Sequence, residues 1–232
     1  MIFRQLFDRE SSTYTYLIAD ERTKEAALVD PVLEHIERDL EIVRELGLGL
    51  VQALDTHVHA DHITAAGTLR ERFGALTIGG EGGAPCVDRP VHHGEIIRLG
   101  AVEILVLATP GHTSESVSFL MGDRVLTGDA LLIRAAGRTD FQNGDAGELY
   151  DTLTRVLFRL PDETLVYPAH DYRGRTVSTI GEEKRFNTRV AGRTREEFIA
   201  VMNGLHLPEP TRLHDAVPAN RACGVVPPPV QG

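Results

Sequence analysis

Three imidazole side chains and one carboxylate lie within residues 57–62, as His57, His59, Asp61 and His62. The apolar run at residues 50–54 comes directly before them, and we predict a buried strand there, followed by a loop. A loop of this kind can turn several nitrogen and oxygen donors toward one point. Imidazole and carboxylate groups without thiolate suit Zn, Fe or Mn. The motif therefore favours a fold that assembles a metal site at the end of a strand.

The composition sets limits on the partners of the chain. With 232 residues, of which 42% are hydrophobic, the chain can bury a full core. We expect no membrane partner, because no stretch approaches the roughly 18 apolar residues of a spanning helix. The formal net charge of −10 argues against a nucleic-acid partner. The N-terminus lacks the pattern of a secretion signal, and two cysteines are too few for a disulfide framework, so we expect a cytoplasmic location.

Hydrophobic periodicity and turn residues predict the order of the elements. We predict strands at residues 2–7, 14–19, 25–29, 50–54, 76–78, 96–99, 102–108, 117–121, 124–126 and 164–167. We predict helices at residues 31–46, 64–73, 149–160 and 194–203, the first with Asp30 as N-cap, Pro31 at its first position and Gly47 after its end. Residues 79–89 are predicted as loop, and the tail Pro227–Pro229 as extended or disordered.

This order of elements predicts the fold class. Hairpins come first, and strands then alternate with helices. The pattern indicates an α/β protein with two mixed, mostly antiparallel sheets flanked by helices, in a four-layer αββα sandwich. There is no break in composition, so we expect a single domain over residues 1–232 with a short C-terminal extension.

Ligand-type residues recur at three later strand ends, as His112, Asp129 and His170, each beside or near proline or glycine. Two interpretations of these donors remain open. In the first, all seven donors hold two metal ions, and a bridging hydroxide attacks an ester or amide carbonyl. In the second, two histidines and one carboxylate hold a single Fe(II), which leaves positions open for O₂ and substrate. Donor identity alone does not decide between them.

The donor pattern resembles the H-x-H-x-D-H signature and the later metal positions of the metallo-β-lactamase superfamily, which implies the αββα fold. The second half of the chain is similar to the glutathione persulfide dioxygenase family. The segments that carry this similarity are residues 128–133, 137–142, 167–172, 177–179, 182–184 and 216–220, followed by Cys223 and Gly224. Glyoxalase II, a hydrolase relative, has a longer helical C-terminal domain for which we expect no counterpart here.

The resemblance implies one Fe(II) per chain and the oxidation of glutathione persulfide, with O₂ and water, to sulfite and glutathione. The implied iron ligands are His57, His112 and Asp129. The implied surrounding groups are His59, Asp61, His62 and His170, and the implied glutathione contacts are Arg138, Tyr172 and Arg189.

Two other functions remain open. One is a dizinc thioester hydrolase of the glyoxalase II kind, and the other is a persulfide or metal sensor without turnover. A homodimer and a separate sulfurtransferase partner are further expectations. Of the cysteines, Cys223 is expected to be a small buried hydrophobe rather than a redox group, and Cys86 to be incidental.

Overall fold

The computed structural model describes residues 1–225, so the predicted tail at Pro227–Pro229 lies outside the described residues. The first sheet contains β1 (Ile2–Phe7), β2 (Tyr14–Ala19), β3 (Glu25–Val29), β4 (Gly49–Leu54), β5 (Leu76–Gly80) and β6 (Arg89–Val91). The second contains β7 (Ile96–Leu99), β8 (Val102–Ala108), β9 (Val117–Met121), β10 (Arg124–Gly128), β11 (Leu165–Pro168) and β12 (Ser178–Thr179). The helices are α1 (Ile36–Glu45), α2 (Ala66–Phe73), α3 (Ala146–Arg155), α4 (Ile180–Phe186), α5 (Arg195–Asn203) and α6 (Leu213–Asn220). Short 3₁₀ turns cover Leu33–His35 and Leu157–Arg159.

Both sheets are mixed, as predicted. In the first sheet β1 to β3 pair in antiparallel fashion and β3 to β6 pair in parallel. In the second sheet β7 to β10 are antiparallel, β11 runs parallel to β10, and β12 is antiparallel to β11. Parallel neighbours need long crossovers, and α1 and α2 supply two of them in the first sheet.

Three apolar layers hold the sandwich together. The layer between the two sheets contains buried side chains from both, including Tyr16, Leu54 and Phe119. One outer layer packs α1 and α2 on the first sheet through residues such as Leu40 and Leu69. The other packs α3 and α5 on the second sheet. This arrangement confirms the αββα sandwich, because each sheet buries one face on the other sheet and one face under helices.

The start of the first helix was predicted wrongly. Asp30 does not cap it: the residue is buried with a φ of 50°, and its carboxylate binds groups in the 56–59 loop instead. The chain enters α1 through the 3₁₀ turn Leu33–His35, with His35 as the N-cap. An aspartate followed by proline is typical of a helix start, but here the carboxylate forms hydrogen bonds with the buried 56–59 loop instead.

Four elements escaped the sequence analysis: β6, β12, α4 and α6. The first two are three and two residues long, too short to show alternation. The sequence of α6 contains Pro218, which disfavours a helical interpretation. No helix within residues 1–225 is long and apolar enough to cross a membrane.

The expectation for the cysteines was also wrong. Cys86 and Cys223 form a disulfide, with Cα atoms 5.8 Å apart across a sequence separation of 137 residues. The bond joins the loop after β5 to the turn after α6. Counting cysteines cannot reveal such a pair, because the pairing depends on which distant segments the fold brings together.

Candidate metal centre

The four predicted strand ends meet at one edge of the sandwich. The loop after β4 carries His57 to His62, the loop between β8 and β9 carries His112, and the ends of β10 and β11 lead to Asp129 and His170. Their donor atoms form two groups, in each of which all chosen atoms lie within 4.8 Å of one another. The groups are His57, His112 and Asp129, and His59, Asp61, His62 and His170. All seven predicted donors are therefore brought together.

Hydrogen bonds select the nitrogen that each imidazole of the first group presents. His112 Nδ1 lies 2.7 Å from the carbonyl oxygen of Arg138, which can only accept, so Nδ1 carries the proton. Thr56 Oγ1 donates to Asp30 Oδ2 at 3.0 Å and accepts from His57 Nδ1 at 3.0 Å. Both rings are thus left with a free lone pair on Nε2. A metal-binding histidine is usually fixed in this manner by a partner on its other nitrogen.

The electrostatics of the first group suit a metal cation. Burial and the neighbouring imidazoles lower the pKa of His57 well below its usual value, so the ring is neutral near pH 7. Burial would raise the pKa of Asp129, but His170 and the other nearby imidazoles hold it below its usual range. The imidazole of His57 and the carboxylate of Asp129 are therefore in the protonation states that coordinate a divalent metal. His112 Nε2 lies 3.6 Å from Asp129 Oδ2.

The second group is linked to the first through His170. Its Nδ1 lies 2.6 Å from Asp129 Oδ1, and its Nε2 lies 2.9 Å from Asp61 Oδ2. Burial lowers the pKa of His170, but the two carboxylates raise it well above its usual value. Two buried nitrogens of this group, His59 Nδ1 and His62 Nε2, have no hydrogen-bond partner. The donor set of a second metal position is thus present.

Several supporting residues were missed by the sequence analysis. Asp30 accepts from the backbone N–H of Thr56 at 2.7 Å and contacts His59 Nε2 at 3.0 Å. Thr13 Oγ1 lies 3.0 Å from both Asp61 Oδ2 and His170 Nε2. The sequence signal at Asp30 was interpreted as a helix cap, and no local signal marks Thr13.

Asn220, at the end of α6, forms hydrogen bonds with the backbone of the metal loop, the segment that follows β4 and carries His57 to His62. Its amide nitrogen donates to the carbonyls of His59 and His62 at 2.9 and 2.8 Å, and its oxygen accepts from the N–H of Thr64 at 2.9 Å. Its segment carried the family resemblance, but the sequence did not indicate this role. The C-terminal helix therefore fixes the backbone of the donor loop.

A cavity of about 580 Å³ opens onto the first group and is also lined by Arg138, Tyr172 and Arg189. The Tyr172 ring is stacked 6.1 Å from His170, and the residue is 72% exposed. Arg189 Nε is buried and has no hydrogen-bond partner. Arg138 differs, because its guanidinium donates to Asp140 at 2.7 and 2.8 Å and to carbonyls of the 207–208 segment. The three predicted contacts thus line one cavity, and Arg138 is already engaged.

Comparison with known proteins identifies the family of this chain. The family model described as the metallo-beta-lactamase superfamily matches residues 8–85 and 87–170. Persulfide dioxygenase ETHE1, mitochondrial, of Mus musculus is 47% identical over 232 residues, covering 99% of this chain and 91% of the mouse protein. The crystal structure of ETHE1 from Myxococcus xanthus is 65% identical, with a TM-score of 0.96 over 97% of this chain and 100% of that one. A hydroxyacylglutathione hydrolase of Polaromonas is 39% identical over an alignment of 166 residues, which covers 68% of this chain and 62% of that protein. The chain belongs to the ETHE1 persulfide dioxygenase family within the metallo-β-lactamase superfamily.

Proposed function

We propose that this protein is a non-haem Fe(II) persulfide dioxygenase, which converts glutathione persulfide, O₂ and water to sulfite and glutathione. The observation that carries the proposal is the convergence of His57, His112 and Asp129, with both imidazoles offering a free Nε2 lone pair. Two histidines and one carboxylate form the set that non-haem Fe(II) oxygenases use, with positions left open. The family membership supports the same reaction.

In this proposal His57, His112 and Asp129 hold one iron per chain. The iron supplies the redox chemistry between O₂ and sulfur. The surrounding protein sets the positions of the ligands: His170 contacts Asp129 Oδ1 at 2.6 Å, and Arg138 contributes the carbonyl that fixes the ring of His112. These contacts leave the donors little freedom to reorient, which favours one coordination geometry.

The remaining residues of the second group, His59, Asp61 and His62, are proposed to line the pocket and hold the ligands in place. Contacts that support this role join His59 to Asp30 at 3.0 Å and Asp61 to Thr13 at 3.0 Å. In this arrangement both ring nitrogens of His170 face carboxylate oxygens. Because both nitrogens of His170 are used in contacts with Asp129 and Asp61, neither is left for a second metal, and this supports a single-metal site.

The substrate is proposed to enter the cavity with its terminal sulfur toward the first group. Arg189 is the strongest candidate for a carboxylate contact, because its buried Nε has no partner. Tyr172 offers an exposed ring and hydroxyl beside His170. Arg138 is proposed mainly to hold the 207–208 wall of the cavity, with one Nη1 hydrogen remaining for the substrate.

We further propose one domain over residues 1–232, in which α6 and the disulfide form the C-terminal extension. We also propose a cytoplasmic location, a homodimer and a separate sulfurtransferase partner. The disulfide makes the location testable, because a reducing compartment would keep Cys86 and Cys223 as thiols.

The second candidate function is a dizinc thioester hydrolase. It is favoured by the second donor group, in which His59 Nδ1 and His62 Nε2 are buried without partners. The hydroxyacylglutathione hydrolase relative supports it over a shorter part of the chain. A sensor without turnover is disfavoured by a donor set that leaves coordination positions open.

Metal analysis and oxygen uptake test the proposal. Protein purified without oxygen and loaded with Fe(II) is expected to bind one iron per chain and to consume O₂ with glutathione persulfide. The His57→Gln variant is expected to lose both properties, and the His92→Gln variant, with an exposed imidazole away from the cavity, to keep them. Two zinc ions per chain with hydrolysis of S-lactoylglutathione and no O₂ uptake would establish the alternative instead.

A further inference from the structure

A second cavity of about 520 Å³ adjoins the metal cavity, and it is rich in arginine. Its charged lining residues are Arg134, Asp171, Arg173, Arg175 and Arg189. His170, Tyr172 and Arg189 line both cavities. The two cavities are therefore neighbours, with these three side chains in the walls of both.

One of these arginines is neutralised within the protein. Arg134 forms ion pairs with Glu182, at 2.6 Å, and with the buried carboxylate of Glu183. Its guanidinium also lies 5.6 Å from the ring centroid of Phe186. Arg134 is thus a structural residue that ties the loop after β10 to α4, and it is not available to a ligand.

The other three arginines form no ion pair among residues 1–225. Arg175 Nη1 contacts the carbonyl of Ile133 at 3.3 Å, and Arg173 is exposed. Asp171 lines the cavity too, but one of its oxygens accepts from the backbone N–H groups of Arg173 and Arg175, at 2.8 Å each. With Arg189 included, the cavity has an excess of positive charge, although the chain carries −10.

The metal cavity cannot balance a substrate with two carboxylates by itself. Its lining includes Arg138, which is paired with Asp140, and Arg212, which is paired with Glu34 at 2.6 Å. Arg189 is then the one arginine of this cavity without an acidic partner in the described part of the chain. Glutathione persulfide has two carboxylates and one ammonium group, so one carboxylate needs another cation.

We propose that Arg173 and Arg175 form an anion subsite that binds the glycyl carboxylate of glutathione persulfide. This inference rests on the proposed function. The glycyl end is the end without an ammonium group, and it suits a space with excess positive charge. The γ-glutamyl end, with one ammonium and one carboxylate, suits the metal cavity, whose lining contains both Arg189 and acidic residues such as Glu209. Guanidinium groups bind carboxylates through paired hydrogen bonds.

The experiment compares a double variant with a matched control. Arg173→Gln with Arg175→Gln is expected to raise KM for glutathione persulfide roughly tenfold with kcat unchanged, the size of one or two partly exposed charged contacts. Arg185→Gln is the control, because Arg185 is exposed on α4 and lines neither cavity. The persulfide of glutathione with an amidated glycyl end is expected to show the raised KM with the unaltered protein and no further rise with the double variant.

Calorimetric binding of glutathione to metal-free protein gives a readout that does not need turnover, and the double variant is expected to bind it roughly tenfold more weakly. Equal KM and Kd values for the double variant and the control would overturn the subsite. Equal KM values for the acid and amide forms would overturn it as well. If no persulfide gives O₂ uptake, but calorimetry still shows weaker glutathione binding by the double variant than by the control, the result contradicts the proposed function and supports the subsite.

Discussion

Replacing Asn220 by alanine removes three hydrogen bonds to the backbone of the metal loop. The side chain is 4% exposed, and its partners are the carbonyls of His59 and His62 and the N–H of Thr64. Each backbone group left unpaired in the interior costs about 1–3 kcal/mol. The variant is therefore expected to lose at least about 3 kcal/mol in the free energy of unfolding. For a chain of this size that corresponds to a fall in Tm of roughly 6–12 °C.

Thermal and urea denaturation followed by circular dichroism measure this change. The control is Asn203→Ala, an exposed asparagine at the end of α5. The Asn220→Ala variant is also expected to retain less metal, because the released loop carries His57. An unfolding free energy within about 1 kcal/mol of the unaltered protein would refute the reasoning, since it would mean that water or a shifted backbone replaces the lost hydrogen bonds.

The Cys86→Ser variant is expected to have a lower Tm, because a disulfide that closes a loop of this length stabilises by about 4–5 kcal/mol in the chain-entropy model. A thiol reductant should lower the Tm of the unaltered protein and not that of the variant; no effect on either would mean that the bond is not formed. For Asp8, burial raises the pKa, but hydrogen bonds from Ser11 outweigh this and hold it below its usual range. The unaltered protein should therefore have a larger free energy of unfolding than Asp8→Asn at pH 7, and the difference should shrink as the pH falls below about 4. Urea denaturation of both proteins at pH 7 and at a pH below 4 measures this difference. In Gly137→Ala, the added Cβ would lie 2.3 Å from the carbonyl oxygen of Asp129. We expect metal affinity to fall by about tenfold or more, measured by competition with a chelator, and unchanged affinity would contradict the proposed placement of Asp129.

Local signals were sufficient for much of the fold. The hairpin of β7 and β8 was placed at its observed bounds, because apolar alternation ends at Gly100, which has a φ of 57°. Helix α5 was recognised by the capping box at Thr194, which the structure contains. Such features depend on neighbours a few residues away, so the sequence carries them directly.

The sequence by itself also determined which residues could form the candidate site. Donor residues follow apolar strands at four places, which marks His57, His112, Asp129 and His170 as candidates. The resemblance to the metallo-β-lactamase superfamily then implies that they converge on one metal site. It does not reach Thr13 or Asp30, because their roles come from contacts with residues far along the chain.

Only the tertiary structure decided how each group is used. Asp30 supports the metal loop rather than a helix, Arg138 is bound to Asp140, and Cys86 meets Cys223 across 137 residues. The tautomers of the imidazoles depend in the same manner on partners from other loops. The physical reason is that hydrogen-bond and charge partners are chosen by distance in space, whereas a sequence pattern reports only distance along the chain.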